Sequence, residues 1–354
     1  MLANLLLPIM AAIGSASAFY KGHDLSSAGY METDQGAVWK SASGSESTLE
    51  AIMGAGGMDS VRLRIWTGTD YGLDYTLDLA KRFSQAGYSI FLDMHFSDTW
   101  ADPSNQAIPS SWSSSSVDSL ASDLRSYVKS TLQSFSDAGV DIAILSLGNE
   151  IPDGFLFPLG KINNDDFSDF ATLWSAARSG VADAVSAGVS QPEVMIHLNN
   201  GWDTATIKWF FQGLFAEGTV STSDVDAIGL SFYPFYGTDA TLDNLGSTLS
   251  WLESTYASTN LYVAETDWPV SCDGVTLSAD YPVSAEGQTE WVAAIIEQLQ
   301  SVSTGSGIFY WEGGYLNTSG LGSDCDSALL FSVNWDDWPT TYATALSSVD
   351  MYSS

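Results

Sequence analysis

The chain has 354 residues, 45% of them hydrophobic, and sets 43 Asp and Glu against 11 Lys and Arg, a formal charge of −32. That balance excludes nucleic-acid binding, which needs cations to neutralise phosphates, and it disfavours an anionic membrane surface for the same reason. A neutral partner and a mildly acidic extracellular setting, where carboxylate self-repulsion is relieved, fit it better.

The chain opens on "MLANLLLPIMAAIGSASA", an apolar run from Leu2 to Ile13 followed by small residues ending Ala16-Ser17-Ala18. This has the form of a secretory leader with an A-x-A cleavage site, leaving a mature chain from Phe19. No other segment has the unbroken apolar length of a membrane span. From Phe19, short apolar or β-branched runs recur at Phe19–Ser26, Val61–Trp66, Ser89–Ser97, Ile142–Glu150, Glu193–Asn200, Ala227–Pro234, Leu261–Pro269 and Gly307–Gly314. Helical periodicity follows the runs. "YTLDLAKRFSQAGY" puts Leu77, Leu79, Ala80 and Phe83 on one face and stops at Gly87. "SLASDLRSYVKSTLQSFSDAG" aligns Leu120, Leu124, Val128 and Leu132 in the same way. Eight such units predict a single α/β domain over residues 19–354, a (β/α)8 TIM barrel with long βα loops. A doubly wound open sheet is disfavoured because no G-x-G-x-x-G turn follows an early strand.

Barrel enzymes build their sites at the C-terminal ends of the strands. Here those ends carry Asp24, Arg62, Arg64, His95, Trp100, Asn149, Glu150, His197, Tyr233, Glu265, Trp268, Trp311 and Glu312. Glu150 ends the fourth predicted barrel strand and Glu265 the seventh. Two carboxyl groups about 5–5.5 Å apart are what retaining glycoside hydrolysis requires, one as nucleophile and one as acid/base. A guanidinium favours the ionised nucleophile. Arg62 and Arg64 share one strand face, so both are expected inside, with Arg64 favoured as the contact of Glu265 and a structural pair with Asp24 or Asp93 for the other. Asn149 is placed to bind a sugar 2-hydroxyl. Trp66, Trp100, Trp202, Trp268 and Trp311 fall at strand ends or in the next loops, so a sugar-stacking surface is expected from the set. The three His form no H-E-x-x-H pattern, and neither a metal nor another cofactor is expected. "SDCDSALL" lacks the ligand spacing of a calcium loop. Cys272 and Cys325 are the two cysteines and, in a secreted chain, are expected to pair. Asn317-Thr318-Ser319 is a glycosylation sequon.

The motifs "GHDLSS", "SVRLRIW", "LDMHFSDTWADP", "LSLGNEI", "MIHLNNGWD", "SFYPFYG", "VAETDWPVSC" and "YWEGG" span the mature chain. With them the sequence resembles glycoside hydrolase family 53, the fungal arabinogalactan endo-β-1,4-galactanases. The resemblance implies Glu150 as acid/base, Glu265 as nucleophile and a neutral substrate of β-1,4-linked galactose. It adds Asp102, in the "HFSDTWADP" loop, to the supporting set of Asp24, Arg62, Arg64, His95, Trp100, Asn149, His197, Tyr233, Trp268 and Trp311. It also implies a fungal-type bridge at Cys325 in place of the calcium of some bacterial relatives. Asp267 departs from the family, where Asn is expected. A secreted monomer is the corresponding expectation. Two other readings stay open on the residues alone: a retaining glycanase acting on xylan, mannan or cellulose, and a non-catalytic carbohydrate-binding barrel.

Overall fold

The computed structural model describes residues 19–272, 274–317, 325 and 327–353. The expected leader, Thr318 and Ser319 of the sequon, and Ser323, Asp324 and Asp326 of the acidic stretch lie outside the described residues. In chain order, β1 (Tyr20–Asp24), α1 (Ala28–Thr33), β2 (Ala37–Lys40) and α2 (Leu49–Ala55) come first. Strand–helix units follow: β3 (Ser60–Ile65) and α3 (Leu73–Gln85), β4 (Ser89–Met94) and α4 (Val117–Asp137), β5 (Ile142–Leu147) and α5 (Ser168–Ser186). Next come β6 (Glu193–Leu198) and α6 (Thr204–Ala216), β7 (Ala227–Ser231) and α7 (Leu242–Thr255), β8 (Asn260–Thr266) and α8 (Ala285–Gln300). The last elements are β9 (Gly305–Tyr310), β10 (Phe331–Asn334) and β11 (Thr341–Ala345). Strands β1, β3, β4, β5, β6, β7, β8 and β9 close a parallel barrel in that order, as the alternation of strand and helix predicts.

The eighth unit departs from the expected repeat. No α-helix follows β9 among the described residues; β10 and β11 instead pair antiparallel, and β11 runs parallel to β2 in a separate three-stranded sheet. Helix boundaries have local causes. Thr48, Ser116, Asp203, Thr241 and Ser284 each accept a hydrogen bond from an otherwise unpaired first-turn amide, a contact worth about 1 kcal/mol. Helix α3 stops where the sequence indicates, with Gly87 just beyond it at φ 96°.

The interior of the barrel is graded along its axis. Phe91, Ile144, Met195, Ala227, Tyr262, Ala264 and Phe309 fill its lower part. There Gly229 is required, since a Cβ would come 2.5 Å from the Met195 sulfur. Above this plug the inward positions turn polar: Asp24, Arg62, Arg64, Asp93, His197 and Ser231 are all buried. Their strand neighbours Val61, Leu63 and Ile65 point outward into the helical layer. The barrel is thus packed below and chemical at one mouth.

Candidate active site

Two local irregularities deliver the carboxyls to that mouth. Strand β5 ends at Leu147, three residues before the apolar run suggests, and Gly148 (φ 101°) and Glu150 (φ 46°) take left-handed backbone. That conformation strains a glutamate and turns its side chain back over the barrel. On β8, Leu230 pairs with Val263 but Ser231 pairs with Glu265, so one residue is bulged. Tyr262 and Ala264 already face inward. Strict alternation would send Glu265 outward; the bulge re-aims it inward.

Arg62 binds the site together. Its Nη1 donates to Asp24 Oδ2 (2.6 Å), and its Nη2 contacts Asp93 Oδ2 (2.7 Å), Asn149 Oδ1 (2.9 Å) and Glu265 Oε1 (2.7 Å). Tyr233 donates its hydroxyl to Glu265 Oε2 at 2.8 Å. Arg64 serves a neighbouring network: Nη1 donates to Glu312 Oε1 at 2.5 Å and Nη2 to Ser27 Oγ at 3.0 Å. The Arg64 guanidinium also lies 4.4 Å from the Trp100 ring centre. The contact of Glu265 is therefore Arg62, not Arg64 as expected. Arg64 leaves β3 two residues nearer the rim, roughly 7 Å higher, and its head group passes above Glu265 to the aromatic wall.

Behind these groups sit the two expected histidines, both neutral. His95 Nδ1 accepts from Trp66 Nε1 (3.3 Å) and the Ala101 amide (3.2 Å), so its proton is on Nε2, which lies 3.0 Å from Asp93 Oδ2. Burial lowers the pKa of His95, in keeping with a neutral ring. Burial likewise lowers His197 to about 3, and its Nε2 is 2.9 Å from Ser231 Oγ. Asp93 is driven down to about 2, with Arg62 and His95 overcoming the cost of its burial.

The two glutamates behave in the opposite sense. Burial raises Glu150 to about 7, partly offset by a hydrogen bond from Ser231. Burial also raises Glu265, to about 8, with repulsion from Glu150 opposing the pull of Arg62 and Tyr233. Such a pair shares one proton near neutrality. Although the higher value falls on Glu265, a guanidinium and a phenol both donate to that carboxylate, so the shared proton belongs on Glu150. A raised carboxyl adds stability that is fully present below its unfolded value of 4.5 and is lost as pH rises through about 7. Glu150→Gln should therefore melt above the wild type at pH 7, with the gap closing by pH 4. An equal gap at both pH values would mean that Glu150 does not hold the proton.

Trp100, Asp102, Asn149, Glu150, Asn199, Asn200, Trp202, Ser231, Tyr233, Tyr236, Glu265, Asp267 and Trp311 line a cleft of about 610 Å³ over this network. The family model for glycosyl hydrolase family 53 matches residues 20–343. The chain belongs to glycosyl hydrolase family 53. It is 40% identical over 346 residues to an arabinogalactan endo-β-1,4-galactanase A of Emericella nidulans, covering 95% of this chain and 96% of that one. A solved fungal β-1,4-galactanase superposes with a TM-score of 0.87 at 38% identity, covering 95% of this chain and 99% of that one. The family 53 catalytic domain of Ignisphaera aggregans superposes at 0.80 with 26% identity, covering 98% and 99%.

For this family 53 glycoside hydrolase, the expected residues fall into three groups. Trp100, Asp102, Asn149, Glu150, Tyr233, Glu265 and Trp311 reach the cleft. Asp24, Arg62, Arg64, His95 and His197 are buried beneath or beside it as supports. Trp268 does not belong: it is fully buried, donates Nε1 to Pro282 O at 2.8 Å and packs against Trp291 of α8. Trp66 is also internal, edge-on to Trp100 at 5.3 Å. Asn149 is held on both sides, accepting from Arg62 and donating to Ala101 O at 2.8 Å. Three groups lacked a role in the sequence reading. Ser231 contacts Glu150 and His197. Gln106 fixes the Asn149 carbonyl at 2.8 Å. Glu312 (φ 45°) anchors Arg64. Ser231 had a signal, since it shares the inward parity of Ala227 and Gly229; Gln106 had none. The expected bridge is present between Cys272 and Cys325, whose Cα atoms are 4.9 Å apart, tying the loops after β8 and β9. Cys325 packs with Tyr233, Phe235 and Trp311, so the bridge supports one wall of the cleft.

Proposed function

We propose that the chain is an extracellular endo-β-1,4-galactanase that cleaves (arabino)galactan with retention of configuration. In this reading residues 1–18 are a leader and residues 19–354 a monomeric catalytic unit. Among the described residues no helix is long and apolar enough to cross a membrane. The observation that carries the reading is the unequal support of two cleft carboxyls in a family 53 chain. Glu265 is held by Arg62 and Tyr233, whereas Glu150 lies in a site that favours its proton. The galactan assignment rests on the activity of the Emericella nidulans relative, an arabinogalactan endo-β-1,4-galactanase.

The chemistry then proceeds in two displacements. Glu265 attacks the anomeric carbon while the bond to the departing oxygen breaks and Glu150 gives that oxygen its proton. The galactosyl group is left esterified to Glu265. Water enters from the vacated side, yields a proton to Glu150 and forms the new bond to carbon as Glu265 departs. Asn149, fixed by Arg62 and Ala101, meets the 2-hydroxyl, and Trp100 and Trp311 offer ring faces to the neighbouring galactose units.

Purified galactan, xylan, mannan and cellulose, compared as substrates, test this assignment. Galactan should be cut to oligosaccharides, and proton NMR in the first minutes should show β reducing ends. Preference for another polymer would reject the substrate, and initial α product would reject the mechanism. Trp100→Ala should raise KM roughly 2- to 10-fold with little change in kcat, since aromatic contacts of this kind are worth about 0.5–1.5 kcal/mol. An unchanged KM would remove Trp100 from the sugar-binding wall.

A further inference from the structure

A second groove of about 450 Å³ lies outside the cleft and, among the described residues, shares no lining residue with it. Its floor is Leu329, Phe331 and Val333, and its rim is Trp335, Trp338 and Asn317. Trp335 and Trp338 are 41% and 58% exposed, and of the other large exposed hydrophobics, Trp100 and Tyr236 line the cleft where sugar is expected to bind. The two indoles are presented by the β10–β11 connection, where the Trp338 amide donates to Trp335 O at 3.3 Å and the Thr340 amide to Asp337 O at 3.0 Å. A turn closed by backbone hydrogen bonds holds them without burying them. Nothing in the catalytic scheme uses this surface.

The sequence places a sugar attachment signal in the same groove. Asn317 is the acceptor of an Asn-Thr-Ser sequon, is exposed, and lines the groove with the two tryptophans. Attachment of N-acetylglucosamine to such an Asn requires passage through the secretory route. Exposed indole faces suit the C–H face of a pyranose ring, and indole is large and apolar with one polar edge. A covalent tether raises the local sugar concentration to about the millimolar range, so individually weak stacking becomes well populated.

We propose that Asn317 carries an N-linked glycan and that its proximal N-acetylglucosamine units lie in this groove, covering Trp335 and Trp338. The proposal rests on the extracellular reading above and not on the galactanase assignment.

The full chain with its own leader is expressed in a eukaryotic host that secretes and glycosylates, and recovered from the medium. The peptide containing Asn317 should carry a hexosamine-rich mass that an amidase removes, leaving Asp in its place. Asn317→Gln should lack that mass. Acrylamide quenching of tryptophan fluorescence should increase after native deglycosylation and be equally high in untreated Asn317→Gln. In a Trp335→Ala/Trp338→Ala variant, deglycosylation should leave quenching unchanged. Secreted protein with Asn317 unmodified would overturn the proposal, as would an occupied Asn317 whose deglycosylation does not alter quenching. Protein retained in the cell would overturn the extracellular reading and the modification with it. Added galactan that protects these two tryptophans in the glycosylated protein would mean that the groove takes substrate instead, also overturning the proposal. Activity on galactan is unaffected by any of these outcomes, so the two readings fail separately.

Discussion

Glu265→Ala should lose galactan turnover by at least the roughly 10²–10⁴-fold that a positioned acid/base group contributes, because it removes the carboxylate that Arg62 and Tyr233 hold in place. The neighbouring acids Asp24 and Asp93 are already bound to Arg62. Azide small enough to enter the vacated space should restore cleavage of an aryl β-galactobioside and give an α-galactosyl azide, the product of a single inversion. Glu150→Ala should behave differently. It should lose galactan turnover to a similar extent but still form the intermediate from an aryl glycoside, whose leaving group needs no proton. Azide should then speed release and give the β-azide. The two azides distinguish the roles even where the two losses of activity are alike. Identical products from both variants would undo the assignment.

Arg62→Met should lower both stability and activity. The guanidinium is fully buried and contacts three carboxylates and Asn149. Removing one partner of a buried ion pair costs about 3–5 kcal/mol because the remaining charge is left uncompensated. Asp93 and Glu265 would lose the guanidinium that favours their ionised form, so they should retain protons to higher pH. The acidic limb of the activity profile should move upward, since Glu265 must be ionised to attack. If the Met variant does not accumulate, Arg62→Lys provides the same test, because an ammonium supplies the charge but not the fork that reaches four acceptors. An unshifted limb in a folded variant would mean that Arg62 does not set the state of Glu265. Arg64→Lys should leave that limb in place, since Arg64 bonds Glu312 and Ser27.

The barrel was legible because strand and helix periods alternate through nearly the whole chain, and because polar residues gather at one end of the apolar runs. Glu150 and Glu265 stood out for the same reason. What escaped was set by backbone irregularity. Glu265 faces inward only through a bulge that a period-two reading does not contain. Arg62 and Arg64 share parity, so only their different heights above the apolar plug decide which meets Glu265. Trp268 lies three residues beyond Glu265, and alternation counted from the bulge turns it outward to Trp291. Among the described residues no α-helix follows β9, because the chain there pairs with β2, a contact between distant parts of the sequence that no local period encodes.

The central claim is that Glu265 bonds to the sugar during catalysis. An aryl 2-deoxy-2-fluoro-β-galactobioside tests it directly, since fluorine slows both displacements while the activated leaving group preserves the first. The intact protein should gain the mass of one fluorinated disaccharide, and the labelled peptide should place it on Glu265. A label on Glu150 or on any other residue would contradict the account.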